Sequence, residues 1–402
     1  MQRPLEGIRV IDCGIFHAGP GASAILGDLG AEIIKIEQPV FGDPIRLANK
    51  IGSLSFDLSD NRNLFCEGAN RNKKSITVNL STTKGQEIVY QLVKKADVFM
   101  TNMRKPAVEK LNITYPIIRD INPNIIYASI SAYGEKGPDS DKGGFDYQGQ
   151  ARSGLMYCIG EKNMPEACQF GLMDQATAIN TCYQIITALL ARERLGVAQK
   201  VSVSILGSSM ALLYFNIFTS LIGGPEIHRH NRMQENPLRN SYKCKDDRWI
   251  MMTIFPKENV WESFCQAINH TEFIEDTRFN ANDKRMDNAD KLIPALDAIF
   301  LERTQKQWLQ IMDKYDLFCC AVNSVKDLAD DPQVVANEYI VDFKHPTLGN
   351  IKIPGYPAHF SETPAKTVSC APELGQHTDM ILTDICGFKK NEIKQMKAEG
   401  IV

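Results

Sequence analysis

The 402-residue chain contains eleven cysteines but no C-x-x-C pair and no ladder of regular spacings. An odd number of scattered thiols fits neither a disulfide framework nor a zinc site, and points to a reducing cytoplasm. The adjacent Cys319 and Cys320 suit neither use. Met1–Glu6 has no basic-then-apolar pattern, so a secretory leader is not expected. The longest apolar stretch, around Met210–Ile222, is broken by polar residues and is too short for a bilayer span. Positive charge is not in excess: 45 Lys and Arg face 48 Asp and Glu, a formal net charge of -3. Neither nucleic acid nor an anionic membrane is attracted in bulk, and an anionic ligand needs local basic groups. There is no G-x-S-x-G elbow, P-loop, H-E-x-x-H helix, low-complexity tract or obvious repeat. The seven histidines are dispersed; His228 and His230 stand close together without an acidic or Cys partner, so no metal is expected.

What is present is an ordinary globular composition, 44% hydrophobic and 23% charged, long enough for two or three domains. Short apolar runs at 7–14, 31–37, 75–80, 97–102, 124–134 and 200–206 read as strands, and helix-like segments separate several of them. Alternation of this kind implies a mostly parallel sheet covered on both faces. The small-residue stretch 18–30 can be helical, and 82–96 carries Ile88, Leu92 and Val93 at helical spacing. The strongest helix signal runs from 174 to 196, where Ile179, Cys182, Tyr183, Ile186, Leu189 and Leu190 form one apolar stripe and Gly196 stops it. A further helix is expected over 208–222. The character changes near Gly223–Pro225: a hairpin at 242–254 and amphipathic helices at 258–268, 291–304 and 305–316 read as a smaller α+β domain over 225–330. Residues 1–224 and 331–402, with a terminal helix around 389–399, make the larger α/β domain.

Three groups carry chemistry. Gly19-Pro20-Gly21, with Ala24, follows a strand and opens a helix, and Glu37 ends the next strand. That is a dinucleotide-type fingerprint weakened by Pro20, and a tight turn needing small residues explains it equally. Arg71, Asn72, Lys73 and Lys74, with Arg104, form a basic set suited to phosphates, set against ordinary surface charge. Asp174 stands at the start of the best helix, as an N-cap or as a nucleophilic carboxylate kept ionised by the helix terminus.

Several segments together resemble the class III CoA-transferases, the family of formyl-CoA:oxalate, carnitine and bile-acid transferases. They include LEGIRVID (5–12), LGAEIIKIEQP (29–39), NRNKKSITVNL (70–80), TNMRKP (101–106), SISAYGEKGP (129–138), GFDYQGQARSGLM (144–156), GLMDQATA (171–178) and LGQHTD (374–379), in order along nearly the whole length. The resemblance implies a Rossmann-like large domain, a smaller domain, and two subunits interlocked as a homodimer. It implies that Asp174 attacks an acyl-CoA thioester, that coenzyme A is a substrate rather than a resident cofactor, and that a small carboxylic acid accepts it. The CoA contacts it implies fall on His17, Ala18, Gln38, Arg71, Asn72, Lys73, Lys74, Asn102, Met103, Arg104, Lys110, Tyr133, Gly134, Glu135 and Lys136. Gln38 takes a place often held by Arg, and no glycine-rich lid occurs near 235–260, which argues against oxalate. An α-methylacyl-CoA racemase of the same fold needs a His base in a G-H-D segment, which here reads Gly144-Phe145-Asp146. A dehydrogenase rests on the glycine turn alone, and a non-catalytic CoA-binding subunit would not need Asp174.

Overall fold

In the computed structural model, residues 2–51, 54–60, 62–161, 163–225, 227–229, 231–255 and 260–402 are described. They divide into two compact units, Met1–Ile227 with Glu338–Val402, and His228–Asn337.

The first unit is built on six strands: β1 (Arg9–Asp12), β2 (Glu32–Glu37), β3 (Lys73–Thr77), β4 (Val98–Thr101), β5 (Ile126–Ser131) and β6 (Lys200–Ser204). They are rich in Ile and Val, and their apolar residues point to both faces, as a sheet covered on two sides requires. All pairings are parallel, in the order β3-β2-β1-β4-β5-β6. This is the doubly wound order with its switch point between β1 and β4, where open α/β sheets take their ligands. One face packs Ile11, Ile34, Ile76, Phe99 and Tyr127 against Ile88, Leu92 and Val93 of the helix Thr83–Val93. That helix begins where Thr82 accepts the Gly85 N–H.

The other face packs against α1 (Ala18–Asp28) and α2 (Leu172–Leu195). The two helices approach closely through small residues. A Cβ on Gly21 would sit 3.1 Å from the Ala178 Cβ and 3.3 Å from His17 Nε2. The glycine turn is therefore required by helix packing. Glu37, the would-be ribose acceptor, is buried and held bidentately by Arg46 at 2.7 and 2.8 Å. Burial alone would raise its carboxyl; Arg46, Lys35 and Ser75 outweigh that and bring it down to about 2. Nothing in that arrangement serves a dinucleotide.

Two helix expectations are corrected. The apolar stripe of α2 splits. Cys182, Ile185 and Leu189 face the sheet, whereas Ile179, Tyr183 and Leu190 are exposed. The segment 208–222 is two helices, α3 (Ile205–Leu212) and α4 (Tyr214–Leu221), broken at Leu213. Their Leu212, Phe215, Phe218 and Leu221 are also exposed, so this side of the unit carries unburied apolar surface.

The second unit has a three-stranded antiparallel sheet of Ser241–Lys243, Trp249–Met252 and Cys319–Val322. The helices Ala289–Phe300 and Gln305–Lys314 pack on it, with Trp308, Phe300 and Tyr242 at the centre of its core. The helix expected at 258–268 is seen as Val260–Ala267, its first residues lying outside the described ones. Among the described residues no helix is long and apolar enough to cross a membrane.

Candidate active site

The site is organised around the first turn of α2. That helix has no side-chain cap of its own: its N-cap is Gly171, at φ +67. Asp174 lies in the first turn, not at the cap, which corrects the capping assignment. The cap comes instead from Asp146, 28 residues earlier, whose Oδ2 accepts the N–H groups of Met173 (2.5 Å) and Asp174 (3.0 Å). Gln150 is wholly buried; it donates to Asp146 Oδ1 at 2.5 Å and ties down the backbone of Cys168. Close packing keeps this support in place, since a Cβ on Gly149 would meet Ile205 Cγ2 at 2.4 Å.

With capping handled elsewhere, the Asp174 carboxyl bonds no other side chain among the described residues, and its ionisation differs from the sequence expectation. Burial first, and the Asp146 carboxylate second, push its pKa up to about 7. The helix terminus does not keep it at an ordinary carboxylate value. A carboxylate of this basicity is half ionised at neutral pH and a stronger nucleophile than a solvated one. Replacing Asp146 with Asn keeps an oxygen acceptor for the two N–H groups and removes the charge. The acid limb of a kcat/KM–pH profile, centred near 7, should then move down by roughly half to one unit, burial supplying the larger remainder. An unmoved limb would show that Asp146 acts only as a cap.

His17 flanks the same turn, its Nε2 2.7 Å from Gln175 Oε1. Burial holds its imidazole below the usual value, partly offset by that bond and reinforced by Arg71 and Lys73. The preceding Phe16 has φ 59 and donates its N–H to Asp43. Asn102, just after β4, clamps the loop by bonding both the N–H and the C=O of Ile15 at 2.7 Å. Ala18, Asn102, Met103 and Arg104 line a cavity of about 640 Å³ beside the carboxyl ends of β4 and β5, together with Glu135, Lys142 and Lys200.

The remaining predicted contacts are placed variously. Lys73 is a correction: its side chain has no exposed surface, and its Nζ bonds Asp12 (2.9 Å), the Pro20 carbonyl (2.8 Å) and Asn70 (3.1 Å). It lies in the core and presents nothing to a phosphate. Arg71 donates to both oxygens of Asp28, most closely to Oδ2 at 2.6 Å, Asn72 donates to Oδ1 at 2.8 Å, and Asn72, at φ 60, also accepts the N–H groups of Val368 and Ser369. Lys74 pairs with Glu32. Glu135 pairs with Lys200 at 2.5 Å and accepts from Ser129, while the Tyr133 ring lies under Arg152. Gly134 sits at φ 102, and Lys110 and Lys136 are exposed. Gln38 caps a turn by accepting from Val40 and Phe41.

Sequence reasoning treated Asp146 only as part of a segment and did not single out Gln150, Gln175 or Asn102's clamp. The segment GFDYQGQ contained the signal, since an acid opening one helix can cap another. Among the described residues Glu67, His345 and Cys370 come near enough to share an ion. His345 Nδ1, however, accepts the N–H groups of Thr347 and Leu348, which puts the ring proton on Nε2, toward Glu67. Arg62 already occupies the same carboxylate, so the trio reads as an ion-paired cluster.

Comparison with known proteins adds an independent line. The family model described as CoA-transferase family III matches residues 5–378. An (R)-2-hydroxy-4-methylpentanoate CoA-transferase of Clostridioides difficile is 32% identical, covering 99% of each chain. A succinyl-CoA:glutarate CoA-transferase of Mus musculus is also 32% identical, over 100% of this chain and 91% of its own length. The crystal structure of a CAIB/BAIF family protein from Brucella suis superposes with a TM-score of 0.85 at 26% identity, covering 96% of this chain and 100% of that one.

Proposed function

The chain belongs to CoA-transferase family III, and from that premise we propose that Asp174 is the nucleophile that carries first an acyl group and then CoA. The observation that carries the reading is a carboxyl at a helix start, relieved of capping by Asp146 and raised to about 7.

The Asp174 carboxylate attacks the thioester carbonyl of the donor. The tetrahedral oxyanion collapses with cleavage of the C–S bond, leaving an acyl–aspartyl anhydride and CoA thiolate. The thiolate attacks the aspartyl carbonyl, the donor acid departs as its carboxylate, and an aspartyl–CoA thioester remains. The acceptor carboxylate attacks that thioester and expels the thiolate again. The thiolate then takes the acceptor's acyl carbon and returns Asp174 to its free form. No net proton or electron is consumed, and the overall reaction exchanges one CoA thioester for another of similar energy, so it proceeds without ATP. Ala18, Asn102 and Arg104, which line the 640 Å³ cavity, and His17, the N-cap of α1, are the CoA contacts the geometry best supports. The exposed apolar side of α2–α4 is where a second copy would pack in an interlocked homodimer. Phe145 offers no proton acceptor, which disfavours racemisation.

Incubation with an acyl-CoA and no acceptor tests the reading. Tryptic mass spectrometry should find a hydroxylamine-sensitive adduct on Asp174; an adduct elsewhere, or α-proton exchange with deuterated water instead, refutes it.

A further inference from the structure

Resting on this transferase reading, we propose that the acyl group carried by Asp174 has an apolar chain, branched-aliphatic or aryl, and that a belt of phenylalanines around the nucleophile selects it. Phe145 meets Phe16 edge-on, ring centroids 5.9 Å apart. Phe16 and Phe65 both pack on the small cluster of Ile45 and Cys66. Phe65 meets Phe56 at 4.7 Å, and Phe56 meets Phe170 edge-on at 5.6 Å. The two groups of rings meet through that cluster, and three of their members adjoin in sequence the turn that bears Asp174 or the residues that hold it. Phe145 precedes Asp146, which holds the Asp174 N–H; Phe16 precedes His17, which bonds Gln175; Phe170 precedes Gly171, the N-cap.

Two features distinguish the belt from ordinary core packing. Phe145 and Phe170 leave 61% and 52% of their surface exposed, so the rings have apolar area still to bury. Phe16 and Phe170 hold left-handed backbones, φ 59 and φ 67, a strained state for a bulky residue that clusters at ligand sites. Edge and face of such rings attract C–H and aryl groups. A second carboxylate placed among them loses its water and finds no partner in the belt. The belt therefore favours monocarboxylic thioesters with an apolar chain over dicarboxylic ones.

The test is single-turnover acylation of Asp174, followed by intact mass, with 4-methylpentanoyl-CoA, 3-phenylpropanoyl-CoA, succinyl-CoA and acetyl-CoA offered separately. The first two should acylate at least about tenfold faster than succinyl-CoA, a margin of the size apolar pockets achieve. Phe145→Ala should narrow that margin about tenfold, and Phe145→Arg, which adds a cation, should turn it toward succinyl-CoA. Equal or faster acylation by succinyl-CoA in the unaltered protein overturns the apolar class. Unchanged selectivity in both variants overturns the role of the belt. Adduct from acetyl-CoA alone also overturns the apolar class yet spares the transferase reading, whereas no adduct from any of the four overturns that reading itself.

Discussion

Asp174→Asn should lower kcat/KM for CoA transfer by about 10⁴-fold or more and, at the same time, stabilise the protein at pH 8. The loss follows from covalency: an amide cannot form the anhydride, and proximity of donor and acceptor alone does not break the thioester. Asp174→Ala should lose as much, which separates the loss of a nucleophile from any special effect of the amide. The gain follows from the raised pKa. A carboxyl that ionises near 3.8 when exposed and near 7 when folded binds its proton more tightly in the folded state. Its favourable contribution is complete below about pH 4 and is lost as pH rises through 7. Fully expressed, the displacement is worth about 4 kcal/mol; with partial access to water, about 2 kcal/mol is the expectation. Thermal melts of the unaltered protein and of Asp174→Asn should therefore separate by several degrees at pH 8 and converge at pH 4. Equal melting at pH 8 would mean the carboxyl is not held in an unfavourable setting, and its reactivity would need another cause.

The strands were legible because buried parallel strands are short, apolar on both faces and bounded by turns. Five of the six runs contain a strand of the sheet; the run 75–80 only overlaps β3, which starts at Lys73 and ends at Thr77. What escaped was set by partners distant in sequence. Asp174 resembled a cap because acids at helix starts usually are; the cap is Asp146. Ile179 and Tyr183 resembled core because they share a helical stripe with Cys182, yet the sheet meets α2 along Ala178, Cys182 and Ile185. Glu37 resembled a ribose acceptor until Arg46, nine residues on, was seen to fill both its oxygens. Lys73 and Lys74 are adjacent and alike in sequence, but strand alternation sends one side chain into the core and the other to Glu32 at the surface.

That alternation gives Lys73 a measurable role. Beneath the loop that carries His17, Asp12 accepts from Lys73 Nζ (2.9 Å), Ser23 Oγ (2.6 Å) and the Gly14 N–H (2.8 Å), while Lys35 reaches Asp43 and the Gly14 carbonyl at 2.8 Å each. Neither Asp12 nor Lys73 has exposed side-chain surface. Burial alone would raise the Asp12 carboxyl; Lys73, Lys35 and Ser23 overcome it and hold the group well below the usual carboxylate range. Its contribution to stability is therefore present above the unfolded carboxylate pKa and is lost as pH falls below it. Lys73→Met strands a buried carboxylate with one cation instead of two, and should cost about 3–5 kcal/mol at pH 7. At pH 4 the deficit should shrink, because the stranded carboxyl can take a proton. Adding Asp12→Asn to Lys73→Met should recover part of the loss, since a neutral amide needs no counter-charge. A phosphate-binding Lys73 predicts the reverse: a raised KM for CoA with an unchanged melting temperature. Urea or thermal unfolding of the two variants, measured beside the KM, decides between a lysine that holds the fold together and one that holds the ligand.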